Sequence, residues 1–447
     1  MTLSNAKFSY VDLFAGIGGF AAVFEALGGR SVYSVEIDEK AAKVYELNWG
    51  HSPLGDITKD ANDSTMVVPQ HDILAAGFPC QPFSKSGAQR GMEETRGTLY
   101  WNILKIIKAH HPAIVLLENV RNLAGPRHLH EWEVIIETLR SEGYVVSDKP
   151  AIFSPHLLPK ANGGRPQVRE RVFITATYAP EITYRGEGLP PLVTSKEGVE
   201  GWNPANWNLF KDLPLDSVSA DESTALSASE VAWIDAWDDW VKSYKIANGS
   251  NPPGFPIWVD AWVELSRLSI PDETPKWKAD FLYKNSKLYT ENKDLFDDWI
   301  ERHSVLTDLF PPSRRKLEWQ AQDAVDLWSC VMHFRPSGIR AKKPNYLPAL
   351  VAITQTSIIG PLRRRLSVRE AARLQGLPEW FSFGQQANSM SYKQLGNGVN
   401  IGAVWHVLKS HVERDSEYLQ LSKPGRELVK VVLDSPASPD ELLGLLK

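Results

Sequence analysis

The stretch VDLFAGIGGF, residues 11–20, decides the fold. An apolar run ends at Phe14, glycines follow at positions 16, 18 and 19, and an apolar helical pattern opens immediately afterwards. Glycines between a strand and a helix permit a tight turn and let backbone come close to a ligand. The spacing Phe14-x-Gly16-x-Gly18-Gly19 is not the G-x-G-x-x-G of a dinucleotide site. Outward from this turn the same grammar repeats over the first 178 residues. Short apolar runs at 10–14, 32–37, 72–76, 113–118, 145–152 and 171–177 read as strands. Amphipathic stretches at 19–27, 39–48 and 101–109 read as helices between them. Strands alternating with helices predict an α/β fold, a parallel, doubly wound sheet covered on both faces. Such sheets bind ligands at the carboxyl ends of their strands, here after Phe14, Ile37, Ala76 and Glu118.

Composition limits the possibilities. The 447 residues allow a large core and two domains, and 43% hydrophobic with 23% charged residues is ordinary for a globular protein. Two cysteines, Cys80 and Cys330, provide neither a disulfide framework nor a C-x-x-C metal pattern, so a reducing, cytoplasmic setting is expected and no metal. The opening MTLSNAKFSYVD lacks the features of a signal peptide, and no apolar run is long enough to span a membrane.

Near position 180 the texture changes. Segment 181–345 is rich in proline and holds 11 of the 16 tryptophans. Residues 181–310 carry 12 Lys and Arg against 23 Asp and Glu, whereas 311–375 carry 12 against 4. The basic part includes RRK at 314–316, RAKK at 340–343 and RRR at 363–365, charges suited to a phosphate backbone if they border a cleft. Ser227 and Glu230 have the spacing of a capping box. Trp233, Trp237, Trp240 and Tyr244 follow at helical spacing and are read as the core of a smaller domain. The α/β texture returns in RRRLSVREAARLQGLPEWF (363–381), with a helix capped by Ser367 and Glu370, and in SYKQLGNGVNIGAVWHVLKSHV (391–412). The expected division is 1–180, 181–345 and 346–447, with the last segment returning to the first.

Several side chains sit where chemistry is done. LAAGFPCQPFSKSG (74–87) carries a strand into a polar loop and places Cys80 after Pro79. VEIDE leaves Glu36 at the end of the second strand, where a carboxylate accepts hydrogen bonds from ribose hydroxyls, with Asp56 of GDIT on a third loop. Both suggest an adenosine-containing cofactor. LLENVRNL runs an apolar strand into Glu118, whose partial burial raises its pKa and equips it to donate a proton. RPQVRER supplies Arg169 and Arg171, two apart, for forked hydrogen bonds to a carbonyl oxygen or phosphate.

Together the pieces DLFAGIGGF, EIDE, GDIT, GFPCQPFSKSG, RGTLY, ENV, QVRER, REAARLQGLP and QLGNGVN resemble, in order and spacing, the DNA cytosine-5 methyltransferase family. The resemblance covers 8–178 and 346–410. It implies a Rossmann-like methyltransferase sheet using S-adenosyl-L-methionine, with a smaller target-recognition domain in 181–345. It implies Cys80 as the nucleophile at cytosine C6, Glu118 as the acid at N3 and the exocyclic amine, and Arg171 as the group holding O2. Arg169 orders the loop or a phosphate. Matching cofactor positions are Phe14, Gly16, Gly18, Glu36, Ile37, Asp56, Ile57, Pro79, Leu99, Asn397 and Val399. Because C6 is unreachable inside a stacked duplex, the base must flip out. Loop 84–91, with Ser84, Lys85 and Ser86, is then a closing lid against double-stranded DNA.

Arg314, Arg315, Arg335 and Arg340 form the expected DNA face; Arg335 and Arg340 either read guanine edges or contact phosphates. The implied setting is a bacterial or phage modification system, nucleoid-associated, with a cognate restriction endonuclease and a monomeric enzyme. RNA methylation by the same chemistry and a silent DNA-binding relative are the alternatives. The 165-residue insertion weighs against the first, and intact Cys80, Glu118, Arg169 and Arg171 against the second. The chain departs from the family pattern at Ala349-Leu350, at Gly398 where many relatives have serine, and in LLPKANGG before RPQVRER.

Overall fold

The computed structural model describes residues 6–79, 98–192, 199, 201–216, 222–350 and 356–446. Its main sheet contains β1 (Phe8–Leu13), β2 (Gly29–Val35), β3 (Ile73–Gly77), β4 (Ile114–Val120), β5 (Tyr144–Val146), β6 (Ala151–Phe153) and β8 (Arg171–Tyr178), while the short β7 (Gln167–Val168) lies outside it. The strand order is β2-β1-β3-β4-β8-β5, with β6 also paired to β8. Strict alternation builds two cores. Tyr10, Ile73 and Ile114 face one side; their neighbours Val11, Leu74 and Val115 face the other. α1 (Gly19–Ala26) and α2 (Glu39–Trp49) cover the first side; α4 (Leu99–His110) and α5 (Leu129–Ser141) cover the second, where the single-turn α3 (Ile57–Asp60) adds Ile57.

Two expectations need correction. The sheet is mixed: β1 to β4 are parallel, but β8 is antiparallel to β4, β5 and β6. A parallel connection usually runs through an α-helical crossover, and between β6 and β8 there are only two single 3-10 turns and the short β7. The single strand expected at 145–152 is broken into β5 and β6 by Ser147–Pro150, where the Ser147 hydroxyl accepts from Lys149 N–H and proline contributes no donor. The first two strands end earlier than the apolar runs suggested, while β3 and β4 run on to Gly77 and Val120. Phe14 leaves β1 with φ 57°, and Glu36 leaves β2 to form a lone bridge with Leu54, so both stand at the carboxyl edge.

The late segment forms α10 (Val368–Gln375), α11 (Asn388–Asn397), α12 (Ile401–Arg414), α13 (Ser416–Leu419), α14 (Lys423–Leu433) and α15 (Asp440–Gly444). Ile401, Val404, Trp405, Leu408 and Val412 recur at helical spacing and close the core over α1. A side chain at Gly402 would meet the Gly163 carbonyl at 1.9 Å, so α12 lies directly on the turn that precedes Arg169.

The second unit is a six-stranded sheet made of β9 (Ile257–Trp258), β10 (Lys316–Gln320), β11 (Val331–Arg335), β12 (Gly338–Lys342), β14 (Ile358–Ile359) and β15 (Arg364–Arg365). Helices α7 (Ala228–Asn248), α8 (Lys276–Glu291) and α9 (Lys293–His303) pack with it. Ser227 and Glu230 form the expected capping box, and Trp237, Trp240 and Tyr244 lie in the core with Trp262, Phe296 and Trp299. This sheet continues past position 345 to Arg365, and Leu209 of α6 (Leu209–Asp212) joins the core of the main sheet. A further strand, β13 (Leu347–Pro348), pairs in parallel with β7 and ties the two units together beside Arg169.

Candidate active site

The carboxyl ends of β1 to β4 open into a cleft of about 580 Å³, whose far wall is the end of α11 and the turn after it. Phe14, Gly16, Glu36, Ile37, Asp56, Ile57, Pro79, Leu99, Asn397 and Val399 all line it, together with Glu118 and Arg171. Sequence positions nearly 400 apart thus meet in one cavity. Gly18 stands behind the wall. Its φ of 92° and the Trp49 ring, 2.0 Å from where a Cβ would sit, allow only glycine there. It packs the turn against Trp49 and is not among the residues that line the cleft.

The turn and the second strand hold each other. Glu36 accepts from Gly16 N–H at 2.9 Å through one carboxylate oxygen and from Asp38 N–H at 2.7 Å through the other. Each oxygen keeps acceptor capacity for a further donor. Asp56 caps α3, accepting from Thr58 N–H at 3.0 Å and from its hydroxyl at 2.7 Å, which holds the carboxyl below its ordinary range.

At the cleft floor Glu118 is buried, 2.9 Å from Arg171 Nε. Burial lifts its carboxyl above the ordinary range, while Arg171 and then Arg169 pull it back down. The sequence placed Arg169 and Arg171 on one side; the structure gives them different tasks. Arg169 does not line the cleft. Its buried guanidinium donates to the carbonyls of Leu350 at 3.3 Å, Gly396 at 3.0 Å and Gly398, and so clamps the turn bearing Asn397 and Val399.

Asn119 was missed. Its side chain donates to the Phe78 carbonyl at 2.8 Å and accepts from Val120 N–H at 2.8 Å, fixing the chain as it enters Pro79. A second polar residue directly after Glu118 in an apolar strand was the available signal. Asp12 was missed as well: a wholly buried carboxyl on β1, lifted well above its ordinary range by desolvation, with Ala21 N–H opposing and Glu36 adding to the lift. Cys80, Ser84, Lys85 and Ser86 lie outside the described residues.

Of the expected DNA face, two members turn inward. Arg314 is buried between Trp233 and Phe334 and donates to the Arg335 carbonyl at 3.1 Å. Arg315 is occupied by the Phe310 and Thr307 carbonyls and by Asp260 at 3.2 Å. Arg335 and Arg340 lie on β11 and β12, on the face opposite the core residues Met332, Phe334, Ile339 and Ala341, and His333 and Lys342 share that face. Arg340 pairs with Glu318 at 2.6 Å; among the described residues the Arg335 side chain has no hydrogen-bond or ion-pair partner. No group of three or more His, Cys, Asp or Glu side chains is placed to hold a metal among the described residues, and no helix there is long and apolar enough to cross a membrane.

Comparison with known proteins places the chain in a family. The family model of the C-5 cytosine-specific DNA methylases matches residues 8–413. The Type II methyltransferase M.AluI of Cellulosimicrobium cellulans is 49% identical over 519 aligned positions, covering 100% of this chain and 99% of its own. M.HhaI of Haemophilus parahaemolyticus is 43% identical over 165 residues, 37% of this chain and 47% of its own. Among solved structures, the S. pombe Dnmt2 methyltransferase aligns with a TM-score of 0.46 at 15% identity, over 91% of this chain and 98% of its own. A match spanning nearly the whole chain and a full-length relative at that identity leave one conclusion: the chain belongs to the C-5 cytosine-specific DNA methylases.

Proposed function

We propose that the cleft holds S-adenosyl-L-methionine at its Glu36–Asp56 side and a flipped-out cytosine at its Glu118–Arg171 side. The observation that carries this is the buried Glu118–Arg171 pair at 2.9 Å, opening into the same cavity as the two outer carboxylates. The residues fit the cofactor. Glu36 retains acceptor capacity for ribose hydroxyls, and Phe14, Ile37, Ile57 and Leu99 supply apolar surface for an adenine. Bound there, the cofactor supplies an activated methyl group.

The chain's own residues do the rest. Asn119 holds the Phe78 carbonyl and so fixes the chain up to Pro79 on the cleft wall. Cys80, next in sequence, is the proposed nucleophile that adds to cytosine C6. Glu118, held more readily protonated by burial, donates to N3 and accepts from the exocyclic amine, which offsets the charge that grows as the thiolate adds. Arg171 holds both Glu118 and the O2 of the base. Arg169 keeps the far wall in register.

The polar face of the second sheet is the proposed duplex surface, with Arg335 the guanidinium available to a base edge or phosphate. The enzyme would act as a monomer on a short duplex sequence, paired with an endonuclease of the same specificity, in a bacterial cytoplasm. Base-resolution mapping of 5-methylcytosine on unmethylated DNA, with Cys80→Ala and Glu118→Gln alongside, tests the reading. Methylation confined to one sequence and absent from both variants is expected. Methylation of RNA alone, or a Cys80→Ala variant as active as wild type, overturns it.

A further inference from the structure

Two charged groups that the reaction does not use face each other across the mouth of the cleft. Asp38 caps α2, and Lys393 lies on α11; Lys393 Nζ is 3.8 Å from Asp38 Oδ2, and both residues line the cavity. Asp38 is fixed from the other side. Its Oδ1 accepts from Lys40 N–H at 2.9 Å and Ala41 N–H at 3.1 Å, and its own N–H donates to Glu36. Only Oδ2 remains to face outward. Among the described residues Asp38 is the sole ionic partner of Lys393. Between Glu36 and Asp38 stands Ile37, 74% exposed, an apolar side chain left at the rim of a cavity.

We propose that the Asp38–Lys393 pair is a latch over the cofactor end of the cleft, joining its early and late walls and slowing escape of the cofactor and of its demethylated product. This rests on the reading that the cleft holds S-adenosyl-L-methionine. The pair is half-exposed, so salt screens it and its influence is modest. Among variants of one site, changes in affinity fall mostly on departure rather than arrival.

The test measures association and dissociation of S-adenosyl-L-homocysteine with the full-length protein, by stopped-flow or surface plasmon resonance, from low to high KCl. Asp38→Asn keeps the cap of α2, since asparagine caps a helix as well as aspartate does, and removes only the charge. Lys393→Met keeps the length and apolar stem. Each single variant is expected to raise the dissociation rate by about two- to fivefold with little change in association, the scale of an exposed ion pair. The double variant should be no faster than either single one, and the wild-type rate should rise with salt towards theirs. Equal, salt-independent dissociation in all four proteins overturns the latch. So do additive effects in the double variant, which would mean that the two residues act separately. Failure of the wild type to bind the product at all overturns instead the cofactor reading on which the latch depends.

Discussion

Asp12 is a carboxyl with no exposure, set beneath the glycine turn, and its raised pKa has a measurable consequence. An acid whose folded-state pKa lies above its unfolded value contributes most below the unfolded pKa, near 4, and that contribution is lost as pH rises towards the folded value. Asp12→Asn should therefore match the wild type in stability near pH 4 and exceed it progressively towards neutrality, by up to about 1.4 kcal/mol per pH unit. Denaturant unfolding across that range checks it; parallel curves would refute it. Arg169 makes the opposite kind of contribution, three carbonyls held by one planar fork. Lysine offers a single nitrogen and cannot reproduce the fork. Hydrogen bonds from a charged group contribute about 1.5–3 kcal/mol, so Arg169→Lys should weaken S-adenosyl-L-homocysteine binding roughly tenfold or more. Equilibrium binding measures this directly. Arg335→Ala should leave cofactor binding untouched and cost about 1–3 kcal/mol in discrimination if the side chain reads a base, or reduce the salt dependence of DNA binding evenly across sequences if it meets a phosphate.

At the scale of the element, local rules account for most of what was legible beforehand. Ser227 and Glu230, and again Ser367 and Glu370, announced helix starts through a spacing that only a capping box requires, and both boxes formed. Ser227→Ala should lower stability by about 1 kcal/mol, read as a shifted denaturation midpoint in the second unit. Gly18→Ala should do more damage, because it adds a clash with Trp49 to a left-handed backbone, and should leave little folded protein by near-ultraviolet circular dichroism. The cleft was legible for the same reason: residues at strand ends must emerge at one edge, whatever the rest of the chain does. What escaped depends on distant partners. Nothing near RRK at 314–316 reveals that Trp233 and Phe334 will enclose one arginine, or that the Phe310 and Thr307 carbonyls will take another. The antiparallel β8 escaped because strand direction follows from connection geometry, which periodicity does not encode.

For the molecule as a whole, the segment after Arg414 lies beyond the stretch matched by the family model, yet it is built into the core. Asp415, wholly buried, accepts from the Thr177 hydroxyl on β8 at 2.9 Å and from Arg414 at 2.6 Å; beside it His411 is kept neutral by burial, its pKa lowered to about 4. Leu419, Leu428, Val432 and Leu443 complete the packing over the main sheet. Each fully buried side chain of this size contributes about 1.5–3 kcal/mol, together comparable to the entire stability of a typical domain. Removing residues 415–447 should yield a chain that unfolds without cooperativity and is rapidly cut by trypsin, a result circular dichroism and limited proteolysis would show. The arrangement of the cleft has a bearing on time as well. Its first wall is translated with β1 and β2, but its second, the turn clamped by Arg169, follows only after the whole second unit has been made. At about 5–20 residues per second the gap is on the order of 20–80 seconds. A partly translated chain therefore lacks a complete cleft, and every finished copy closes its cleft with the second unit already made.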